Sequence, residues 1–341
     1  MKAVRLHKYH ERPIVEDVPE PKVTDPHDVV VKIGGAGLCR TDLHIYEGQW
    51  AEKSGVELPY TIGHENAGWV HEVGSAVTNV AVGDTVILHP LVTCGLCRAC
   101  RAGDDMHCDL GRFPGIDSDG GMAEFLKTGA RACVKLDPSL QPADVAALAD
   151  AGLTAYHAAK KAVPLLYPGT RVAVIGAGGL GHIGIQSLKA LTAAEIIVVD
   201  RSEAALELAR SFGADQTVVA DGSQVEQVKE LTDGKGAEVV IDFVGERGAE
   251  AEAWEMTRRA GSHFMVGYGG TVNVPTIDII STERNVIGNL VGTYNDLAEL
   301  MVLAAQGQVT LHTATYPLGA VNEAMDDLEA GRLQGRGILV P

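Results

Sequence analysis

Residues 171–200 read RVAVIGAGGLGHIGIQSLKALTAAEIIVVD, and this stretch decides the fold of much of the chain. Val172 to Ile175 is an apolar run of strand type that leads directly into Gly176-Ala177-Gly178-Gly179-Leu180-Gly181, and the HIGIQSLKALTA that follows has helical spacing. Strand, glycine turn and helix in that order make a dinucleotide fingerprint. Gly176 permits the tight turn, Gly178 lets backbone approach a pyrophosphate, and Gly181 lets the helix pack closely on the strand. The helix N-terminus then presents unpaired N–H groups to phosphate. Asp200 ends the next strand, where a carboxylate accepts hydrogen bonds from ribose hydroxyls and repels a 2′-phosphate. The expected cofactor is NAD, with the neighbouring Arg201 read as a solvated charge.

Outward from this stretch the alternation continues. SEAALELARSFG reads as a helix with Ser202 as N-cap and Gly213 as C-cap, AEVVIDFVG and SHFMVGY read as strands, and EAEAWEMTRRA reads as a helix between them. Upstream, ADVAALADAGLTAYHAAKKAV has helical spacing from Pro142 onward. Before about Leu140 the character changes to short valine-rich segments, VVVKIGGAG, GWVHEVG and DTVILHPLV, separated by turns. Beyond Tyr294 two helices, NDLAELMVLAAQG and AVNEAMDDLEAG, precede a terminal strand, GILVP. The pattern predicts an α/β chain: a β-rich unit, a doubly wound parallel-sheet unit, and a tail that returns to the first.

Charge and hydropathy remove several partners. With 28 Lys and Arg against 45 Asp and Glu, the formal charge of −17 repels phosphate backbones, so nucleic acid is excluded as an expected partner. No apolar run reaches the roughly 18 residues that span a bilayer, so no membrane partner is expected. The first residues, MKAVRLHKYHERPIVEDV, lack the apolar core of a signal peptide, which points to a cytoplasmic setting. Of six cysteines, Cys94, Cys97, Cys100 and Cys108 form C-x2-C-x2-C-x7-C. Four thiolates so spaced close a tetrahedral zinc site with no position left for substrate, hence a structural zinc. An iron–sulfur cluster is the competing use, but the spacing matches neither common ferredoxin run. Cys133 reads as an ordinary half-buried residue.

A second constellation is dispersed: Cys39 in GLCRTDLH, His64 in IGHENAG, and an acid in ALADAGLTAYHA. Gly63-His64-Glu65 followed by Gly68, Gly74 and Val77, then the four-cysteine lobe and the glycine loop in order, resemble the zinc-dependent alcohol dehydrogenases of the medium-chain dehydrogenase/reductase superfamily. The resemblance covers essentially the whole chain, which is similar to bacterial secondary-alcohol dehydrogenases. It implies a GroES-like catalytic domain over residues 1–152 with 294–341 and a Rossmann NAD-binding domain over 153–293.

The resemblance also implies roles. Cys39 and His64 bind a catalytic zinc, and Asp150 stands where many members have cysteine, an acceptable change because carboxylate oxygen is a normal zinc ligand. Glu65 is the alternative oxygen donor, and with Asp42 it looks suited to orienting ligands. Thr41 and His44 match a proton relay, Arg40 and Arg336 match arginines on the pyrophosphate, and Trp50, Leu91, Val92 and Val291 match or neighbour pocket positions. The expected reaction is hydride transfer between a secondary or primary alcohol and NAD, giving a ketone or aldehyde, with one catalytic and one structural zinc. A polyol or amino-alcohol dehydrogenase is the runner-up, and a non-catalytic nucleotide-binding redox sensor the reading from another class. By analogy the chain assembles as a homo-oligomer, a tetramer rather than a dimer, with RNVIGNLVGT as the joining edge.

Overall fold

The strand Asp28–Leu38, sequence DVVVKIGGAGL, is the axis of the β-rich part. All its residues except Asp28 and Lys32 are buried, as a strand covered on both faces requires. Glu65–Val73 pairs antiparallel along one edge. Phe125–Gly129 and the terminal strand Arg336–Val340 share the other, so the tail completes this sheet. The seven-stranded sheet continues outward through Thr313–Pro317 on one side and through Thr85–Leu88 and Cys133–Lys135 on the other. A small three-stranded sheet holds Ile14–Asp17, Lys2–Leu6 and Tyr60–Thr61. Leu6, Leu38, Ile62 and Met122 lie in the shared core.

The computed structural model describes all residues, Met1 to Pro341. They divide into two units, Met1–Leu153 with Thr293–Pro341, and Thr154–Gly292. The second unit is a six-stranded parallel sheet in the order Gln216–Val219, Glu195–Asp200, Arg171–Ile175, Ala237–Asp242, Thr257–Met265, Asn285–Gly288. The chain leaves Arg171–Ile175 toward one side of the sheet and later returns on the other at Ala237–Asp242. That reversal makes a switch point, the crevice where open α/β sheets bind ligands.

Three local expectations are corrected. The helix read through TRRA stops at Met256, because β-branched Thr257 begins a strand and turns its Oγ1 back to the Ala253 carbonyl. The single helical run after Pro142 is broken: Pro142–Val145 and Ala146–Ala149 precede Ala151–Ala162, with Asp150 off the helical backbone at φ −129°, ψ −56°. Ser202 does cap its helix by accepting from the Ala205 N–H, but Phe212 is the C-cap and Gly213 follows it at φ +98°. No helix is long and apolar enough to cross a membrane.

Candidate active site

In the first unit, sheet geometry collects four donors that the sequence scatters. Cys39 follows the axial strand, His64 and Glu65 open its neighbour, and Asp150 occupies the break between helical segments. One ligand atom from each lies within 4.8 Å of the others. Cys39, His64 and Glu65 are buried, while Asp150 keeps 14% of its side chain exposed.

The chemistry of this set fits zinc. His64 Nε2 stands 3.5 Å from Asp150 Oδ2, and both ring nitrogens are buried without a hydrogen-bond partner. Donors about 2.0–2.3 Å from a tetrahedral zinc are separated by roughly 3.3–3.8 Å, so this spacing suits shared ligation better than a hydrogen bond. Burial pulls the His64 pKa down, but the carboxylates of Asp42 and Asp150 and the Cys39 sulfur more than offset it and hold it well above 6.5. The site favours positive charge. Asp42, fully buried, accepts the Cys39 N–H on Oδ2 at 2.8 Å and turns Oδ1 toward His64 Nδ1 at 3.5 Å, orienting two donors at once.

Glu65 is held from behind. Arg336 Nη2 bonds both of its oxygens, and the Ala151 N–H donates to Oε1 at 3.2 Å. Burial raises the Glu65 pKa against the opposing pull of this guanidinium. Only glycine fits beside it, since a Cβ at Gly37 would lie 2.0 Å from Oε2. Arg336 is 3% exposed, and its Nη2 is taken by a buried carboxylate of its own unit.

The four cysteines form a second cluster, their sulfurs also within 4.8 Å of one another. Backbone N–H groups of Leu96 and Cys97 point at Cys94 Sγ, each at 3.4 Å, and lower its pKa to about 6. The Cys94 N–H reaches Cys108 Sγ at 3.3 Å. Thiolates arranged this way fit a closed tetrahedral zinc.

In the second unit the three glycines divide their tasks. Gly176 adopts φ +90°, a Cβ at Gly181 would meet the Gly176 carbonyl oxygen at 1.8 Å, and exposed Gly178 has nothing within 4 Å of that position. Turn, close packing and an open approach are therefore distinct. Asp200 accepts the Ala177 N–H on Oδ2 at 2.7 Å and the Ser202 N–H on Oδ1 at 2.8 Å, so the same carboxylate braces the loop.

Residues 25–138 match the alcohol dehydrogenase GroES-like domain, and residues 179–306 match the zinc-binding dehydrogenase domain. An NAD-dependent alcohol dehydrogenase of Sulfurisphaera tokodaii is 37% identical over the full length of both chains. The chain belongs to the zinc-type alcohol dehydrogenase family. Among solved structures, the alcohol dehydrogenase of the hyperthermophilic archaeon Aeropyrum pernix superposes with a TM-score of 0.97 at 46% identity, each chain covered completely. A D-arabinose 1-dehydrogenase (NADP(+)) of Saccharolobus solfataricus is 36% identical, covering 100% of this chain and 97% of that one.

Thr41 and His44 lie half-buried, three residues apart on the Arg40–Tyr46 helix and so on one face, and Arg40 is exposed. Trp50 packs on the first unit's core with the Lys53 ammonium 5.8 Å from its ring. Leu91 and Val92 are half-buried, Val92 exchanging backbone hydrogen bonds with Arg112. Val291, in the second unit, is buried at φ +46°. Phe113 went unnoticed in the sequence, yet its ring meets His64 edge-on at 5.9 Å. A lone aromatic in a loop carries no periodic signal.

Proposed function

We propose that this zinc-type alcohol dehydrogenase oxidises apolar secondary or primary alcohols with NAD and reduces the matching ketones or aldehydes. The convergence of Cys39, His64, Glu65 and Asp150 carries the reading. Zinc held by Cys39, His64 and Asp150 supplies Lewis acidity toward an alcohol or carbonyl oxygen, and NAD bound at the glycine loop supplies the hydride acceptor. Thr41 takes the alcohol proton and passes it to His44, whose imidazole exchanges it with solvent. Asp42 keeps Cys39 and His64 in register, and Glu65, steadied by Arg336, is the reserve oxygen donor beside Asp150. In this reading the Arg40 and Arg336 guanidinium groups contact the pyrophosphate.

Trp50, Leu91 and Val92, joined by Phe113, line the substrate pocket in this proposal. An apolar lining leaves the extra hydroxyls of a polyol unpaired, which disfavours such substrates. The arabinose dehydrogenase relative is the observation that keeps a sugar or polyol as the second reading. Asp200 favours NAD over a 2′-phosphorylated cofactor. None of the six cysteines is paired in a disulfide, which supports a reducing setting such as the cytoplasm. The Asn285–Gly288 strand ends its sheet, and exposed Ile277, Ile280, Val286 and Leu290 cluster in the same stretch of chain, supporting subunit pairing at that edge within a homotetramer.

The test is NADH formation from 2-propanol, cyclohexanol, sorbitol and threonine, with bound zinc quantified. Turnover of the first two, abolished by zinc removal, is expected. NADH from sorbitol or threonine alone would move the reading to the runner-up, and none from any would end it.

A further inference from the structure

The glycine loop is braced on a second side by the turn after the Ala237–Asp242 strand. A Cβ at Gly176 would come within 2.8 Å of Val244 Cγ2, and one at Gly184 within 2.6 Å of the Phe243 ring. This turn, across the switch point, fixes where the glycine loop can sit. Its own backbone is set by one side chain. Asp242 Oδ1 accepts the N–H of Val244 at 2.8 Å and of Gly245 at 2.9 Å. Gly245 adopts φ +61° against the Gly267 carbonyl, where a Cβ would lie 2.1 Å from the oxygen, so the turn has little freedom once those two bonds form.

Asp242 is itself incompletely satisfied. It is fully buried, and its Oδ2 has no partner. On the adjacent strand His263 is also fully buried with both ring nitrogens unpartnered, and its Nε2 stands 4.0 Å from that oxygen. Orphaned buried groups of this kind cost roughly 1–3 kcal/mol each, so a donor and an acceptor facing each other across this gap are complementary. A shift of about 1 Å brings them to hydrogen-bond length. Burial holds the imidazole neutral at neutral pH, its pKa lowered to about 4 even with Glu250 nearby favouring the charged form. A neutral ring has one N–H to give.

We propose that Asp242 and His263 are a buried positioning pair: His263 Nε2–H steadies Asp242, Asp242 sets the Phe243–Gly245 turn, and the turn sets the nucleotide affinity of the glycine loop. Neither residue touches substrate. The inference rests on the NAD reading above and adds two residues that the dinucleotide fingerprint does not contain.

The experiment uses the full-length, zinc-loaded protein and reads NADH Kd by fluorescence, KM for NAD, kcat and zinc content. In Asp242→Asn the Kd and KM rise by about tenfold, equivalent to 1.4 kcal/mol, while kcat does not fall and zinc stays bound. His263→Phe, similar in bulk but without a donor, weakens NADH in the same sense. His263→Gln, which retains an N–H, restores affinity to within about twofold of the parent. Equal affinity in the Phe and Gln variants, or NADH binding at the parent's Kd in Asp242→Asn, would overturn the pair. Should Asp242→Asn fail to fold, the two His263 variants decide. If the parent itself binds no NADH, the cofactor reading falls and the pair falls with it; if the parent binds and the variants match it, only the pair does.

Discussion

The two metal-ligand clusters of the first unit differ in how the chain builds them. The lobe takes four sulfurs from residues 94–108, a single excursion in which Leu96 is 72% exposed and just beyond which Leu110 is 74% exposed. The other takes a sulfur, an imidazole and two carboxylates from positions as far apart as 39 and 150, and buries three of the four. A loop with no core of its own needs the metal to hold it, whereas the dispersed donors are held by the sheet before any metal arrives. One cluster is a staple and the other a preformed socket.

Removing a donor should separate them most sharply. Cys39→Ala is expected to lose the socket's zinc, keep the lobe's, leave the fold intact and lower kcat/KM by about a thousandfold or more. Metal analysis beside steady-state kinetics checks this, and full zinc content with ordinary turnover would remove Cys39 from the ligand set.

The same contrast explains what could be read beforehand. The lobe was wholly legible because its spacing is its structure. The socket required a family resemblance, since its convergence depends on strand register: Gly37 opposite Glu65, and Leu38 opposite Gly337. That second pairing carries Arg336 to Glu65, a contact between residues 271 positions apart that no local pattern announces. The glycine loop, a local motif, was readable in full, but the Asp242–His263 support behind it lies on two strands of apolar character. Asp150 was implied as a ligand by the resemblance, but apolar spacing on both sides hid the break in the helical backbone at which it sits.

Arg336 tests whether the socket is held by the protein alone. Arg336→Met removes the guanidinium bonded to both oxygens of the buried Glu65 carboxylate, an effect of about 3–5 kcal/mol on stability for such pairs. Denaturant unfolding of the metal-free protein should show it. A metal-free variant as stable as its parent would mean that the pair is not part of the preformed support.

Cys97→Ser should act in the complementary way and more weakly on chemistry. Loss of one thiolate opens the lobe, so proteolysis within residues 94–108 becomes faster while kcat/KM at low temperature stays within about tenfold of the parent. An effect as large as that of Cys39→Ala would erase the distinction between staple and socket.

The smallest expected change is the most direct probe of what holds the lobe. Leu96→Gln with Leu110→Gln removes its two most exposed apolar side chains, and exposed substitutions of this kind usually shift stability by no more than about 0.5 kcal/mol. If metal ligation alone maintains the loop, the double variant keeps its zinc, its melting temperature and its resistance to proteolysis. A clear loss of stability would show that these leucines are covered in the working assembly, making apolar contact a second fastening for the lobe. Repeating the measurement across protein concentration separates the two cases, because only a covered surface makes the difference depend on subunit association.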